Sequence, residues 1–322
     1  MYSLNGKFKR ALVTGGAGFV GSHIVEDLLA DGLQVVSVDD YSAGKAENLQ
    51  GLKNSNNLLE VDCDITDKAK LIRFFDGVDI VFHEAVSKMT VCLKDPRRDL
   101  QINAEGTFNL LELSRDFGVK KFVHASTGSV YGEAKYYPTD EKHPVNPTSF
   151  YGVSKLAGEK YVRLFSEMFG LNASILRYYH VYGPRQENSE VGGVVSIFAK
   201  LAMEGKSLTI FGDGTQLRSF TYVKDIVNIN KLVALTEATS GEAYNCASGI
   251  KVTIKELADT VLETLNRTDV AILFDDWKVG DIKIFDVNNE KIRNLGFEFS
   301  TSFESGLKAT LDWTSEFLSR KG

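Results

Sequence analysis

Through the first half of the chain, short apolar runs alternate with longer amphipathic stretches. Residues 11–14, 35–38, 58–61, 80–82 and 122–124 are almost wholly apolar, the pattern of strands buried on both faces of a sheet. Between them, residues 20–30, 68–75, 98–117 and 150–169 repeat their apolar positions every three or four residues, which predicts helices. A further strand is expected at 173–177. This β-α-β order predicts an α/β fold with a doubly wound parallel sheet and helices on both faces. Beyond residue 177 the rhythm weakens into loops rich in Gly, Asn and Asp, with helical patterns near 196–203, 253–265 and 304–318. The expected division is a dinucleotide-binding Rossmann domain over 1–178 and a smaller C-terminal α/β substrate lobe over 179–322, with a strand near 243–247 returning to the first sheet.

Composition narrows the functional classes. A length of 322 residues suits one large α/β domain or two sharing a cleft, and 43% hydrophobic with 25% charged residues is ordinary for a globular chain. The net charge of -6 argues against non-specific nucleic-acid binding, which draws on a basic face. Cys63, Cys92 and Cys246 lie far apart and lack metal-site spacing, so a reducing cytoplasm is expected and no metal. Residues 1–10 hold no apolar signal segment and no later run approaches a membrane span, which predicts a soluble protein without a membrane partner.

The first apolar run leads directly into Thr14-Gly15-Gly16-Ala17-Gly18-Phe19-Val20-Gly21-Ser22. Residues without Cβ let the chain turn tightly, approach a pyrophosphate and aim the N–H groups of a helix at it. The second run ends in Asp39 and Asp40, at about the 20-residue offset where a carboxylate holds an adenosine ribose. An acid there repels a 2′-phosphate, so the expected cofactor is NAD. Asp64 and Ile65, after the third run, are readable either as adenine contacts or as a plain strand end.

Two YxxxK spacings occur, Tyr131 with Lys135 and Tyr151 with Lys155, and with 12 tyrosines in the chain spacing alone decides nothing. Tyr151 and Lys155 open a long helical pattern, where i and i+4 share a face and the ammonium can lower the phenol pKa. Tyr131 and Lys135 lead towards Pro138, Pro144 and Pro147, where no helix aligns them. A phenol with a reference pKa of ~10 needs such a cation to act as a base. Ser126, Thr127 and Ser129 follow the fifth strand, at the carboxyl end where ligands of such sheets bind. Thr127 is taken as the hydroxyl that positions the substrate oxygen.

These residues, with VDDYSAGKAENL, HEAVSK, SVYGE, YGVSK, LRYYHVYGPRQ, IFGDGTQLRSFTYVKD and VGDI, resemble the extended short-chain dehydrogenase/reductase family, in particular its NAD-dependent nucleotide-sugar epimerases and dehydratases. The resemblance spans nearly the whole chain. It implies that Tyr151 takes a proton from a sugar hydroxyl, typically at C4, while hydride passes to the nicotinamide, with Thr127 on the same oxygen. It further implies cofactor-side contacts from Gly15, Gly18, Phe19, Val20, Gly21, Lys88 and Asn103. Arg185 and Arg218 become diphosphate or nucleotide contacts, and Ser129 a substrate contact.

Four departures fall on the substrate side. His180 stands where the family usually has Asn, Ser219 where it has Asp, Lys278 where an Arg precedes Gly280-Asp281, and the following segment to Asp286 is short. His180 reads equally as a structural residue or as a phosphate or sugar contact. Dehydratases usually carry an acid directly after the active-site Thr, and decarboxylating relatives a Glu one residue later, whereas this chain has Gly128 and Ser129. That leaves a 4-epimerase of a UDP-hexose or UDP-hexuronate type substrate as the leading expectation, ahead of a dehydrogenase, dehydratase or decarboxylase, and of a non-catalytic dinucleotide sensor. The resemblance also implies a homodimer through the helices at about 99–117 and 150–169.

Overall fold

A computed structural model describes residues 2–87, 89–189, 192–277 and 282–320. In chain order it forms β1 (Arg10–Thr14), α1 (Phe19–Ala30), β2 (Gln34–Asp39), β3 (Leu58–Asp62), α2 (Lys68–Leu71), β4 (Ile80–His83), α3 (Met89–Lys94), α4 (Pro96–Leu100), α5 (Thr107–Asp116), β5 (Lys121–Thr127), α6 (Phe150–Phe169) and β6 (Ala173–Tyr178). There follow β7 (Val181–Tyr182), α7 (Val194–Met203), β8 (Leu208–Phe211), β9 (Leu217–Tyr222), α8 (Val223–Leu235), β10 (Ala243–Cys246), β11 (Ile250–Thr253), α9 (Ile254–Thr264), β12 (Ile272–Asp275), α10 (Glu290–Arg293) and α11 (Phe303–Ser319).

Seven strands make one sheet in the order β10-β6-β5-β4-β1-β2-β3. β1 runs parallel to both β2 and β4, with Thr14 opposite Val38 on one side and His83 on the other. The strand order therefore reverses between β1 and β4, and in such sheets the crevice outside the carboxyl ends at that point receives the ligand. Leu12, Val36, Val81, Phe122 and Ile175 from the strands pack with Phe75, Leu110, Val162 and Phe165 in one buried cluster. Full burial of each such side chain stabilises by about 1.5–3 kcal/mol, which is why the apolar runs were readable.

Helix α6 has both of its ends written in the sequence. The Ser149 side chain accepts from the Gly152 amide at 3.1 Å, and Gly170 closes the helix in the left-handed conformation at φ 68. Two expected helices differ. The stretch 68–75 is α-helical only over Lys68–Leu71 and tightens to a 3-10 turn at Ile72–Phe74, a common way for a short helix to end. The stretch 98–117 is interrupted by a π-helical segment, Gln101–Gly106. There a Cβ on Gly106 would stand 2.5 Å from Ile65 Cδ1, so the wide turn lies where the helix backbone packs directly on the Ile65 side chain that follows β3.

The described chain divides into two units. Met1–Gly132, Pro144–Tyr178 and Ile226–Tyr244 form the first, and Glu133–His143, Tyr179–Asp225 and Asn245–Gly322 the second. Beside the boundary at 178 and the strand near 243–247 expected to return to the first sheet, where β10 lies, the first unit also gives up Glu133–His143 and takes in most of α8, neither of which the sequence pattern had singled out. The second unit holds a three-stranded sheet in the order β11-β9-β7 and the parallel pair β12-β8. Among the described residues, no helix is long and apolar enough to cross a membrane.

Candidate functional site

The loop from β1 to α1 is built so that only glycine fits. Gly15 has φ +65, and a Cβ there would lie 2.7 Å from the Ala85 amide nitrogen; a Cβ on Gly21 would lie 2.1 Å from the Gly15 carbonyl oxygen. Gly18 begins α1 without a side-chain cap, and the first turn, with Phe19 and Val20, carries no acid. The N-terminus of α1 is therefore a cradle of backbone N–H groups open to an anion. Asp39 ends β2 against this loop and accepts the amides of Ala17 and Tyr41, each at 2.9 Å. Burial pushes its carboxyl up, although the two amide hydrogen bonds lower it. These residues fit a dinucleotide, with the glycine cradle for its pyrophosphate and the Asp39 carboxylate for a ribose.

Asp40 and Asp64 share a partner that the sequence reading missed. Arg98 Nη2 donates to Asp64 Oδ2 at 2.5 Å and approaches Asp40 Oδ2 at 3.5 Å, and its hydrogen bond helps hold the Asp64 carboxyl below its ordinary value. Ile65 is buried, with its Cδ1 close against the backbone of Gly106. Lys88 lies outside the described residues. Asn103 is fully buried with its amide engaged: Oδ1 accepts from the Ser87 amide at 2.9 Å, and Nδ2 donates to Asp99 Oδ1 at 2.9 Å and Ser154 Oγ at 3.0 Å. It ties the segment after β4 to α6.

Tyr151 and Lys155 stand one turn apart at the start of α6, and Thr127 ends β5. The Thr127 hydroxyl is hydrogen-bonded to the Tyr151 phenol, and its oxygen also accepts from the Ser129 amide at 3.2 Å. Ser129 thus belongs to the same cluster. Tyr131 is spent elsewhere, its hydroxyl accepting from Arg177 Nη1 at 2.6 Å, so the second YxxxK match is a structural tyrosine.

The electrostatics correct one expectation. Burial pushes the Tyr151 phenol up to about 12, with the Thr127 hydrogen bond opposing and Asp99 and Cys92 adding to the rise. The Lys155 ammonium is itself buried, which brings it down to about 8 against the upward pull of Glu84, Glu159 and Asp99, so it still carries its charge at neutral pH. The protein alone presents a hydrogen-bonded phenol rather than a phenolate.

Two buried carboxyls near Lys155 were not singled out from the sequence, although Glu84 lies within the HEAVSK run. Glu159 accepts Ser126 Oγ at 2.6 Å and both Nε and Nη2 of Arg177. Glu84, directly after β4, accepts the Tyr178 hydroxyl at 2.9 Å, and that hydroxyl in turn accepts Asn230 Nδ2 at 2.7 Å. Only the i+4 spacing of Glu159 from Lys155 on α6 could have suggested the first of them.

In the second unit, His180 has φ 33 and lies edge-on to Phe285, ring centroids 4.7 Å apart. Burial and then the Arg218 charge bring its imidazole down to about 3. His180 is therefore a neutral ring in the protein alone. Arg218 is buried over the Phe285 ring and donates from Nη1 to the Ile282 carbonyl at 2.9 Å. Arg185 is half-buried with φ 67, and Lys278 lies outside the described residues.

Comparison with known proteins agrees with this arrangement. The NAD dependent epimerase/dehydratase family matches residues 11–247. A UDP-glucose 4-epimerase of Mycolicibacterium smegmatis is 36% identical over 309 residues, covering 94% of this chain and 98% of that one. A dTDP-D-glucose 4,6-dehydratase of Mus musculus is 31% identical, covering 95% and 88%. A solved structure, UDP-glucose 4-epimerase of Thermotoga maritima with UDP-glucose, superposes with a TM-score of 0.91 at 36% identity, covering 96% of this chain and 99% of that one. The glycine cradle, the strand-end acid and the matched span together establish that this chain belongs to the NAD dependent epimerase/dehydratase family, with NAD as its cofactor.

Proposed function

We propose that the protein is a nucleotide-sugar 4-epimerase acting on a UDP-hexose or UDP-hexuronate through a transient 4-keto sugar. The observation that carries this reading is the Thr127–Tyr151 hydrogen bond with no carboxyl at the two positions directly after Thr127, which are Gly128 and Ser129. Elimination at C5–C6 needs an acid and a base of its own, and epimerisation needs none beyond the Tyr151 pair.

Tyr151 takes the C4 hydroxyl proton and later returns it, while Thr127 holds the same oxygen in line. Bound NAD supplies the hydride acceptor and donor and brings a positive charge that lowers the phenol pKa. Lys155 orients the cofactor side and adds what charge its burial leaves. Asp39 holds a ribose, and Gly15, Gly18 and Gly21 shape the pyrophosphate seat. Arg185 and Arg218 are the diphosphate-side candidates, and His180 contributes a neutral ring. Weak contacts to the sugar let the keto form turn over while the nucleotide stays anchored.

The test is a panel of nucleotide sugars incubated in deuterated water and followed by NMR. Interconversion at C4 with no deuterium at C4 is the expected result. Solvent label at C5, or loss of a carboxylate, overturns the reading in favour of a dehydratase or decarboxylase.

Oligomeric state and compartment belong to the same proposal. Phe150, Val153, Tyr161, Leu164, Met168 and Phe169 leave an apolar face of α6 exposed, which supports a homodimer through α5 and α6. Light scattering after size exclusion checks it, and a monomer across the micromolar range overturns it. The three cysteines are buried and form no disulfide among the described residues, in keeping with a reducing cytoplasm.

A further inference from the structure

Glu84 is a buried carboxyl that the proposed chemistry does not use. It follows directly on β4, its amide donating to the Thr14 carbonyl at 3.1 Å, and its carbonyl carbon lies 2.9 Å from where a Gly15 Cβ would be. It therefore sits against the dinucleotide loop at the β1/β4 reversal, where the topology places the ligand crevice.

Its side chain is held through a relay. Tyr178, at the end of β6, donates to Oε1 at 2.9 Å, and Asn230 on α8 donates to the Tyr178 oxygen at 2.7 Å while its other amide hydrogen goes to the Ile226 carbonyl at 2.9 Å. A half-buried hydroxyl and a buried amide from two different elements thus fix one carboxyl, where an apolar residue would have filled the space at less cost in desolvation.

A carboxylate in this position has one general consequence. NAD carries a positive nicotinamide when oxidised and a neutral one when reduced, so a fixed negative charge in a low-dielectric crevice favours the oxidised form. We propose that Glu84, fixed by Tyr178 and Asn230, biases the crevice towards retaining oxidised over reduced dinucleotide.

The inference rests on the NAD site and not on the epimerase reading. Burial pushes the Glu84 carboxyl up to about 7, against the lowering effects of the Tyr178 hydrogen bond and the Lys155 charge. The titratable or charged groups recorded as acting on it are the Tyr178 hydroxyl from β6 and the Lys155 ammonium from α6; α8 offers the neutral Asn230, and the β1–α1 loop the backbone of Gly15. The bias should therefore switch on as pH rises through neutrality. Lys155, brought down to about 8, begins to lose its charge above that range.

The experiment reads binding, not turnover. Protein is incubated with an equimolar excess of NAD and NADH at about pH 6 and about pH 7.5, desalted, and the retained dinucleotides are extracted and quantified. The wild-type ratio of NAD to NADH is expected to rise about fivefold between the two pH values, as one charge in a screened crevice allows. In Glu84→Gln most of that rise disappears at unchanged total loading. In Tyr178→Phe, which removes a hydrogen bond to the carboxylate, the midpoint moves to higher pH. A Glu84→Gln ratio equal to wild type at both pH values overturns the proposal, as does a loss of total loading with the ratio unchanged, which marks a packing role only.

Discussion

Arg177 grips Glu159 with two nitrogens, Nε on Oε1 at 2.9 Å and Nη2 on Oε2 at 2.6 Å, with both side chains almost wholly buried. The pair bolts α6 to β6, and Ser126 Oγ on Glu159 together with Tyr131 Oη on Arg177 draws the end of β5 and its following loop into the same joint. Because removal of one partner strands a buried charge, Glu159→Gln should destabilise the protein by about 3–5 kcal/mol in urea denaturation. Replacing both residues with apolar ones of similar size should cost less than either single change. A single-variant loss below about 1 kcal/mol counts against this account.

Tyr151→Phe removes the phenol and the Thr127 hydrogen bond but leaves the glycine cradle untouched. Turnover on the cognate nucleotide sugar should fall by about 10²–10⁴, with dinucleotide content unchanged by extraction. Thr127→Val should give a smaller loss, because the phenol remains. Full activity in Tyr151→Phe would remove it from the mechanism.

Gly15→Ala places a methyl group 2.7 Å from the Ala85 amide nitrogen in a φ +65 conformation. The backbone cannot yield cheaply there, and a strained left-handed residue costs about 1–3 kcal/mol besides. The expected outcome is protein purified with about 5- to 150-fold less bound dinucleotide, that cost expressed as an equilibrium constant, and a lowered melting temperature. Wild-type cofactor content would show that the loop tolerates a Cβ.

Lys121 predicts a pH dependence of stability. It is buried at the start of β5, donating to Asn172 Oδ1 at 2.7 Å and Thr239 Oγ1 at 2.9 Å, and burial brings its ammonium down to about 7 despite the opposing Glu237 charge. Between about pH 7 and pH 10 the unfolded chain holds this proton and the folded chain does not, so stability contributed at this site rises with pH. Relative to Lys121→Met, the wild type should gain stability, on the order of a few kcal/mol, across that window. Equal slopes in the two proteins would show that Lys121 keeps its charge when folded.

Much of the frame was legible because it follows from short-range rules. The apolar runs at 11–14 and 35–38 became β1 and β2 since a parallel strand buried on both faces has no polar side to show. Gly15 and Asp39 could be paired from spacing, for the turn and the strand that separates them have fixed lengths. Ser149 and Gly170 bounded α6 by their local capping chemistry.

What the sequence by itself determined, then, is the order of strands and helices, the glycine cradle, the strand-end acid and the placing of Tyr151 and Lys155 one turn apart on a helix. Tertiary structure alone decided which distant groups meet. Glu84 with Tyr178 and Asn230, Arg98 with Asp40 and Asp64, and Glu84 and Asp99 with Lys155 are separated by tens of residues or more. The same holds for protonation: Tyr151 is a raised phenol and His180 a neutral ring because burial dominates both. Desolvation is a property of everything packed around a group, and no local pattern along the chain records it.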